Sequence, residues 1–300
     1  MKDSLPLVRF QDVSFTWPDS DTGEIATLAD GSPASPVFDA FTADIPSGFI
    51  SLTGPNGSGK STFMLLAGGR IMPTTGRIEL DGHNTRILSG VWADESGKPG
   101  PGFPAELEHR RNLVCSFLYQ NMEFDVQDDD DSRVGQLLEF VYVNGGHRSK
   151  DELFYNNAVS AFELDALLGR KLGSLSKGEL QRVLLAFSAL YGSKVIMMDE
   201  PVFAMEQRQK ERALDFFSDI YRSSGVSIMV SLHELSLTRK YADTVMLFYP
   251  DRRIDLGSPD EVLTDAALES AYGVPSAMLY DSEKLTRQAM TESVRVRERS

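Results

Sequence analysis

Cysteine is almost missing: Cys115 is the single one among 300 residues. One thiol cannot form an intrachain disulfide, which excludes a disulfide scaffold and fits a reducing compartment. Its neighbours Leu113, Val114, Phe117 and Leu118 are apolar, so a small buried hydrophobe is expected there rather than a reactive thiol. Basic residues are also short. The 30 Lys and Arg face 44 Asp and Glu, a net charge of −14. That balance lacks the broad basic footprint of a nucleic-acid binder, so no nucleic-acid partner is expected. No apolar run approaches the ~20 residues of a membrane-spanning helix. The opening residues Met1 to Pro6 lack the apolar centre of a signal peptide. The expectation is a cytoplasmic chain; any membrane part it serves belongs to another chain. No internal repeat is visible.

What is present begins at residues 54–62, which read Gly54, Pro55, Asn56, Gly57, Ser58, Gly59, Lys60, Ser61, Thr62. Glycines at these positions let the backbone curl so that several N–H groups point inward at a phosphate chain. A helix starting near Gly59 would aim its positive end at the same phosphates. Lys60 suits β- and γ-phosphates, and the Ser61 hydroxyl suits Mg²⁺. The flanks agree: Phe49 to Thr53 reads as a buried strand, Phe63 to Ala67 as the buried side of a helix, and Gly68 and Gly69 as its stop.

Strand and helix patterns alternate along the rest of the chain. Val8 to Phe15 alternates as a strand, Pro36 to Ile45 resumes strand character, and Gly76 to Gly82 is a short strand ending in a turn. Residues 19–36 and 89–104 are rich in Gly, Pro and small polar residues and read as loops. Arg111 to Tyr119 is expected as a buried strand, residues 133–190 as mainly helical, and Lys194 to Asp199 as a buried strand. Met205 to Tyr221 is expected as a helix, Val226 to Leu232 as a strand, and a further helix reaches Tyr241. Such alternation predicts an α/β fold with a mostly parallel sheet covered on both faces. The last twenty residues are charged and are expected to be frayed or an exposed helix.

The strand Val195-Ile196-Met197-Met198 ends in Asp199-Glu200. A carboxylate at the C-terminal edge of such a sheet can hold Mg²⁺, and the next one can activate a water against a γ-phosphate. Leu175-Ser176-Lys177-Gly178-Glu179-Leu180-Gln181-Arg182 then narrows the family. It resembles the signature motif of ATP-binding-cassette (ABC) proteins, usually Leu-Ser-Gly-Gly-Gln or Leu-Ser-Gly-Gly-Glu followed by x-Gln-Arg. In that family Leu175, Ser176, Lys177, Gly178 and Glu179 would act on the ATP held by a second chain. Phe15-Thr16-Trp17-Pro18 resembles the segment whose aromatic stacks on adenine, hence Trp17. Phe117-Leu118-Tyr119-Gln120 resembles the strand whose terminal glutamine senses Mg²⁺ and the attacking water. Ser231-Leu232-His233-Glu234 resembles the switch histidine that contacts the γ-phosphate.

The resemblance covers about residues 7–275. It implies one nucleotide-binding domain over 1–275, with a P-loop NTPase core, an antiparallel β subdomain and a helical subdomain at about 121–182, then a charged tail at 276–300. It implies ATP and Mg²⁺ as cofactors, with Glu200, His233 and Gln120 catalytic and Ser61, Gln120 and Asp199 on the metal. The chain departs from the pattern at Lys177, which replaces a glycine, and at Pro201 to Glu206, which stands for Pro-Thr-Ser-Ala-Leu-Asp. His233 to Asp243, and Gly257 to Thr264 followed by Tyr272-Gly273-Val274, resemble importers of siderophores, haem and cobalamin. This implies a head-to-tail dimer on the inner face of the membrane, bound to permease subunits and fed by an extracytoplasmic binding protein. An ATPase of another importer or exporter, and a soluble non-transport cassette, stay open. The run Asp125, Asp128, Asp129, Asp130, Asp131 is expected as a solvated loop, with a basic partner helix as the alternative.

Overall fold

The computed structural model describes residues 5–19, 32, 34–88, 105–120, 122, 132–147, 150–203 and 205–285. In chain order its elements begin with β1 (Val8–Phe15), β2 (Phe38–Ile45), β3 (Phe49–Thr53), α1 (Lys60–Ala67), β4 (Thr75–Leu80), β5 (His83–Asn84) and α2 (Thr85–Leu88). There follow α3 (Ala105–Val114), β6 (Cys115–Leu118), α4 (Val134–Asn144), α5 (Glu152–Ala161), α6 (Lys177–Leu190), β7 (Val195–Met198) and α7 (Gln207–Ser224). The chain continues through β8 (Ser227–Ser231), α8 (Leu235–Tyr241), β9 (Thr244–Phe248), β10 (Ile254–Gly257), α9 (Pro259–Val262) and α10 (Asp265–Tyr272). Residues 276–285 are helical as well.

The chain divides into two compact units. One comprises Met1–Ser47, Asn56–Arg111 and Pro250–Arg253; the other comprises Gly48–Pro55, Asn112–Tyr249 and Ile254–Ser300. The first carries an antiparallel sheet in the order β2-β1-β4-β5. Alternation in β1, reset by a register shift between Phe10 and Val13, turns Val8, Phe10, Val13 and Phe15 inward. Phe63 of α1 fills that face, stacked 4.8 Å from Phe10 and edge-on to Phe38 and Phe41.

The second unit carries six strands in the order β10-β9-β3-β8-β7-β6. Five run parallel and only β10 is antiparallel, at the edge. Every residue of β3, β6, β7 and β8 is buried, as a parallel sheet covered on both faces requires. One core joins Val134, Leu138, Val183, Leu184, Ile196 and Phe217 from helices and strands; a second packs Leu235, Val245, Leu247 and Leu268 together.

The expected strand from Arg111 to Tyr119 is corrected. Helix α3 runs to Val114, and β6 is only Cys115–Leu118. The charges Glu106, Glu108, Arg110 and Arg111 pair at helical spacings, and Leu113 and Val114 are half-buried rather than sealed in the sheet. Cys115 is a buried free thiol, as its apolar surroundings require. The helix expected from Met205 starts at Gln207, after Glu206 at its N-cap, and ends where Gly225 takes a left-handed conformation. Strands β9 and β10 and helix α10 add to the elements expected. Most of residues 19–36, all of 89–104, Asp125 with the aspartates at 128–131, and residues 286–300 lie outside the described residues.

Candidate active site

The chain leaves β3 at Thr53 and turns at once. Gly54 has φ +136°, and a Cβ there would lie 2.4 Å from the Phe248 carbonyl oxygen, so only glycine fits. The Tyr272 hydroxyl accepts from the Gly54 N–H at 3.0 Å and lies 3.0 Å from Thr53 Oγ1. Gly59, at φ +106°, is the N-cap of α1, which starts at Lys60. No side chain caps that helix and no acidic residue sits in its first turn. A helix start whose first turn brings no carboxylate of its own suits an incoming phosphate. Ser58 and Lys60 are buried; Asn56, Gly57 and Ser61 are exposed. The Trp17 indole N–H donates to Thr62 Oγ1 at 3.2 Å, with Phe15 edge-on to its ring at 5.1 Å. Arg252 donates to the Gly57 carbonyl at 3.1 Å, a contact that no sequence motif announces.

In the second unit, adjacent parallel strands deliver further side chains to one sheet edge. Gln120 follows β6, Asp199 and Glu200 follow β7, and His233 follows β8. Asp199 is 6% exposed and accepts from Ser231 Oγ at 2.6 Å. The same hydroxyl oxygen accepts the Glu200 N–H at 2.7 Å. That bond helps to hold Glu200 at φ +50°, a conformation that costs a non-glycine residue on the order of 1–3 kcal/mol. The Glu200 carboxylate is gripped from two sides. Gln120 Nε2 donates to Oε2 at 2.8 Å, and His233 Nε2 lies 2.7 Å from Oε1. Phe203, 66% exposed, meets the His233 ring edge-on at 5.7 Å. A cavity of about 20 Å³ is lined by Glu200, Ser231, His233, Glu234 and Lys210 among others, with room for about one water.

Ser176 is the N-cap of α6. Its hydroxyl accepts from the Glu179 N–H at 3.3 Å, and its own N–H donates to Glu179 Oε2 at 2.8 Å. The bond from the Ser176 backbone first, and then that from the Ser176 side chain, hold the Glu179 carboxyl below the usual range. Ser176, Lys177 and Gly178 are exposed, and Leu175 is half-buried against the core. One turn on, Gln181 Nε2 donates to the Pro201 carbonyl at 2.7 Å, immediately after Glu200. The structure thus brings Gln120, Asp199, Glu200 and His233 together, and separately Trp17 with Thr62. The residues from Ser176 to Gly178 stand apart at the start of α6. Ser231, Tyr272, Arg252 and Lys210 carried no functional expectation. Ser231 lies in the segment around His233, the one signal by which it could have been found.

A protein-family model for the ABC transporter matches residues 41–203, more than half of the 300. The hemin import ATP-binding protein of Thermobifida fusca is 31% identical over 241 residues, covering 80% of this chain and 78% of that protein. The corresponding protein of Nocardia farcinica is 28% identical over 248 residues, covering 82% and 79%. Among solved structures, an ATP-binding subunit of an ABC transporter superposes with a TM-score of 0.63 at 19% identity, covering 92% of this chain and 98% of that one. A transporter described as of metal-chelate type, facing inward, gives 0.60 at 17% identity, covering 90% of each chain. These two likenesses speak to the fold. Among the described residues no helix is long and apolar enough to cross a membrane. With the phosphate loop after β3, the Asp-Glu pair after β7 and the capped motif at α6 in family order, the chain belongs to the ABC transporter family, as an ATPase.

Proposed function

We propose that this ATPase powers import of a metal chelate of the hemin, siderophore or cobalamin type through separate permease subunits. The observation that carries the hydrolytic part is the grip on Glu200. Its carboxylate meets Gln120 and His233 beside the buried Asp199. A carboxylate so placed takes a proton from a water attacking the γ-phosphate. Gln120 and His233 hold it in place. Lys60 and the N–H groups from Gly57 to Thr62 bind the phosphates, and Trp17 stacks on adenine. Ser176, Lys177 and Gly178 close over the nucleotide of a second copy.

By chemical type, the proposed donors suit Mg²⁺. The Ser61 hydroxyl, the Asp199 carboxylate and the Gln120 carboxamide oxygen are hard oxygen ligands, as this ion prefers. Asp199 Oδ1 is oriented by Ser231. The bound ion would supply charge neutralisation on the β- and γ-phosphates.

The import reading is supported by relatives named for hemin and cobalamin import, from several organisms. Tyr119, Phe140, Val143 and Leu153 are exposed apolar side chains that suit a permease surface. We place the protein on the inner face of the membrane, held by its permease, as a pair of copies fed by an extracytoplasmic binding protein. The domain reading of 1–275, with its helical part at about 121–182, is part of this proposal.

The test replaces the resident copy with Glu200→Gln. Uptake of labelled hemin, ferric siderophore and cobalamin is measured, with molybdate as the comparison. The purified variant is expected to bind ATP while hydrolysis slows by roughly a hundredfold or more. Uptake of one chelate should stop and molybdate uptake should stay. Hydrolysis at the wild-type rate would remove Glu200 as the base. Undiminished uptake of all three chelates would remove the import reading.

A further inference from the structure

Glu234 is the N-cap of α8, yet its side chain does not cap that helix. The carboxylate is drawn to Lys210 Nζ at 2.5 Å, with both side chains largely buried. The first N–H groups of α8 then need another acceptor. It comes from 48 residues downstream of Leu235: Glu283 Oε1 accepts from the Leu235 N–H at 2.5 Å, and Oε2 from the Ser236 N–H at 3.4 Å. The helical residues 276–285 that carry Glu283 touch α8 a second time, where Arg239 donates to the Tyr280 hydroxyl at 3.4 Å. Just before them, at the end of α10, Tyr272 bonds Thr53 and Gly54 at the entry to the phosphate loop. Burial raises the Tyr272 pKa, so the bonding group is the neutral phenol.

We infer that the segment from Tyr272 to Glu283 is a clasp for the ATPase site, with both residues as positioning residues. Tyr272 sets the entry to the phosphate loop. Glu283 sets the first turn of α8 and, two residues upstream, the backbone that aims His233 at Glu200. The inference rests on the reading of Glu200 and His233 as hydrolytic partners. A carboxylate on the first N–H groups of a helix is favoured by the helix dipole as well as by the hydrogen bonds. Removing it frees the turn beside His233 while leaving the phosphate loop its own contacts. Loss of the Tyr272 hydroxyl acts on the loop instead. The two ends of the clasp therefore have different kinetic signatures.

The experiment uses the purified full chain with MgATP, assayed well below each variant's Tm. Glu283→Ala is expected to lower kcat about tenfold with KM within about twofold, the pattern of an interaction used in the transition state. Glu283→Gln keeps the bulk and one acceptor oxygen and should fall between. Tyr272→Phe should weaken nucleotide affinity about fivefold, the scale of one hydrogen bond. A kcat within about twofold of wild type in Glu283→Ala would overturn the clasp. So would kcat and KM that move only in step with a falling Tm. Glu200→Gln run alongside separates the two readings: if it hydrolyses normally, the hydrolytic reading has failed, whereas a slow Glu200→Gln with a fast Glu283→Ala rejects the clasp alone.

Discussion

At the scale of single residues, the site depends on groups whose alternatives are closed by geometry. Gly54 admits no Cβ against Phe248, and the buried Asp199 is answered by the Ser231 hydroxyl. Lys60 is the cation that the phosphate loop itself contributes, placed at the first residue of α1. Lys60→Ala should therefore abolish measurable ATP binding, as read by nucleotide titration in Mg²⁺. Its fold should survive, because the substitution is helix-favourable. Unchanged affinity would remove the phosphate-loop assignment. Phe203 is a different kind of residue. Exposed beside His233, it departs from the small polar residue that the family pattern places there, and its edge restricts one side of the imidazole.

At the scale of elements, helix α6 combines a strong local signal with a distant task. Its capping box satisfies both Ser176 and Glu179 within four residues. Glu179→Ala should fray that end, lowering Tm slightly. It should weaken ATP-dependent pairing measured by gel filtration, with little effect on nucleotide affinity of the single chain. Pairing at the wild-type ATP concentration would show that the cap is not needed for closure. Legibility in the sequence followed the same divide. The phosphate loop, the strand into Asp199-Glu200 and the cap at Ser176 were readable because each is contiguous and chemically distinctive. Arg111 to Val114 was misread because Leu113 and Val114 extend the apolar run around Cys115, while the deciding charges lie upstream in α3. Strand β9, Thr-Val-Met-Leu-Phe, carries an apolar signal of its own, although no strand is expected there from the motifs. Glu283 carried no signal: a carboxylate in a charged tail becomes a cap only when the fold brings it 48 residues back to Leu235.

At the scale of the whole molecule, the proposed pairing of two copies makes a prediction that neither copy alone can test. Combine one chain carrying Lys60→Ala with one carrying Ser176→Arg. If Ser176 serves the nucleotide of the other chain, both lesions fall on one composite site and the second stays intact. About one ATP held per mixed dimer is expected, by trapping on a filter or by mass. None held, with the dimer shown to form, would count against head-to-tail pairing. The bond from Gln181 to the Pro201 carbonyl adds a consequence. The same first turns of α6 that present Ser176 outward also grasp the peptide next to Glu200 within their own chain. A displacement of that helix end would pull, through one amide, on the peptide that follows its own Glu200. In a pair of such chains each would act as the other's clutch: engaging the neighbour's fuel would set one's own firing step.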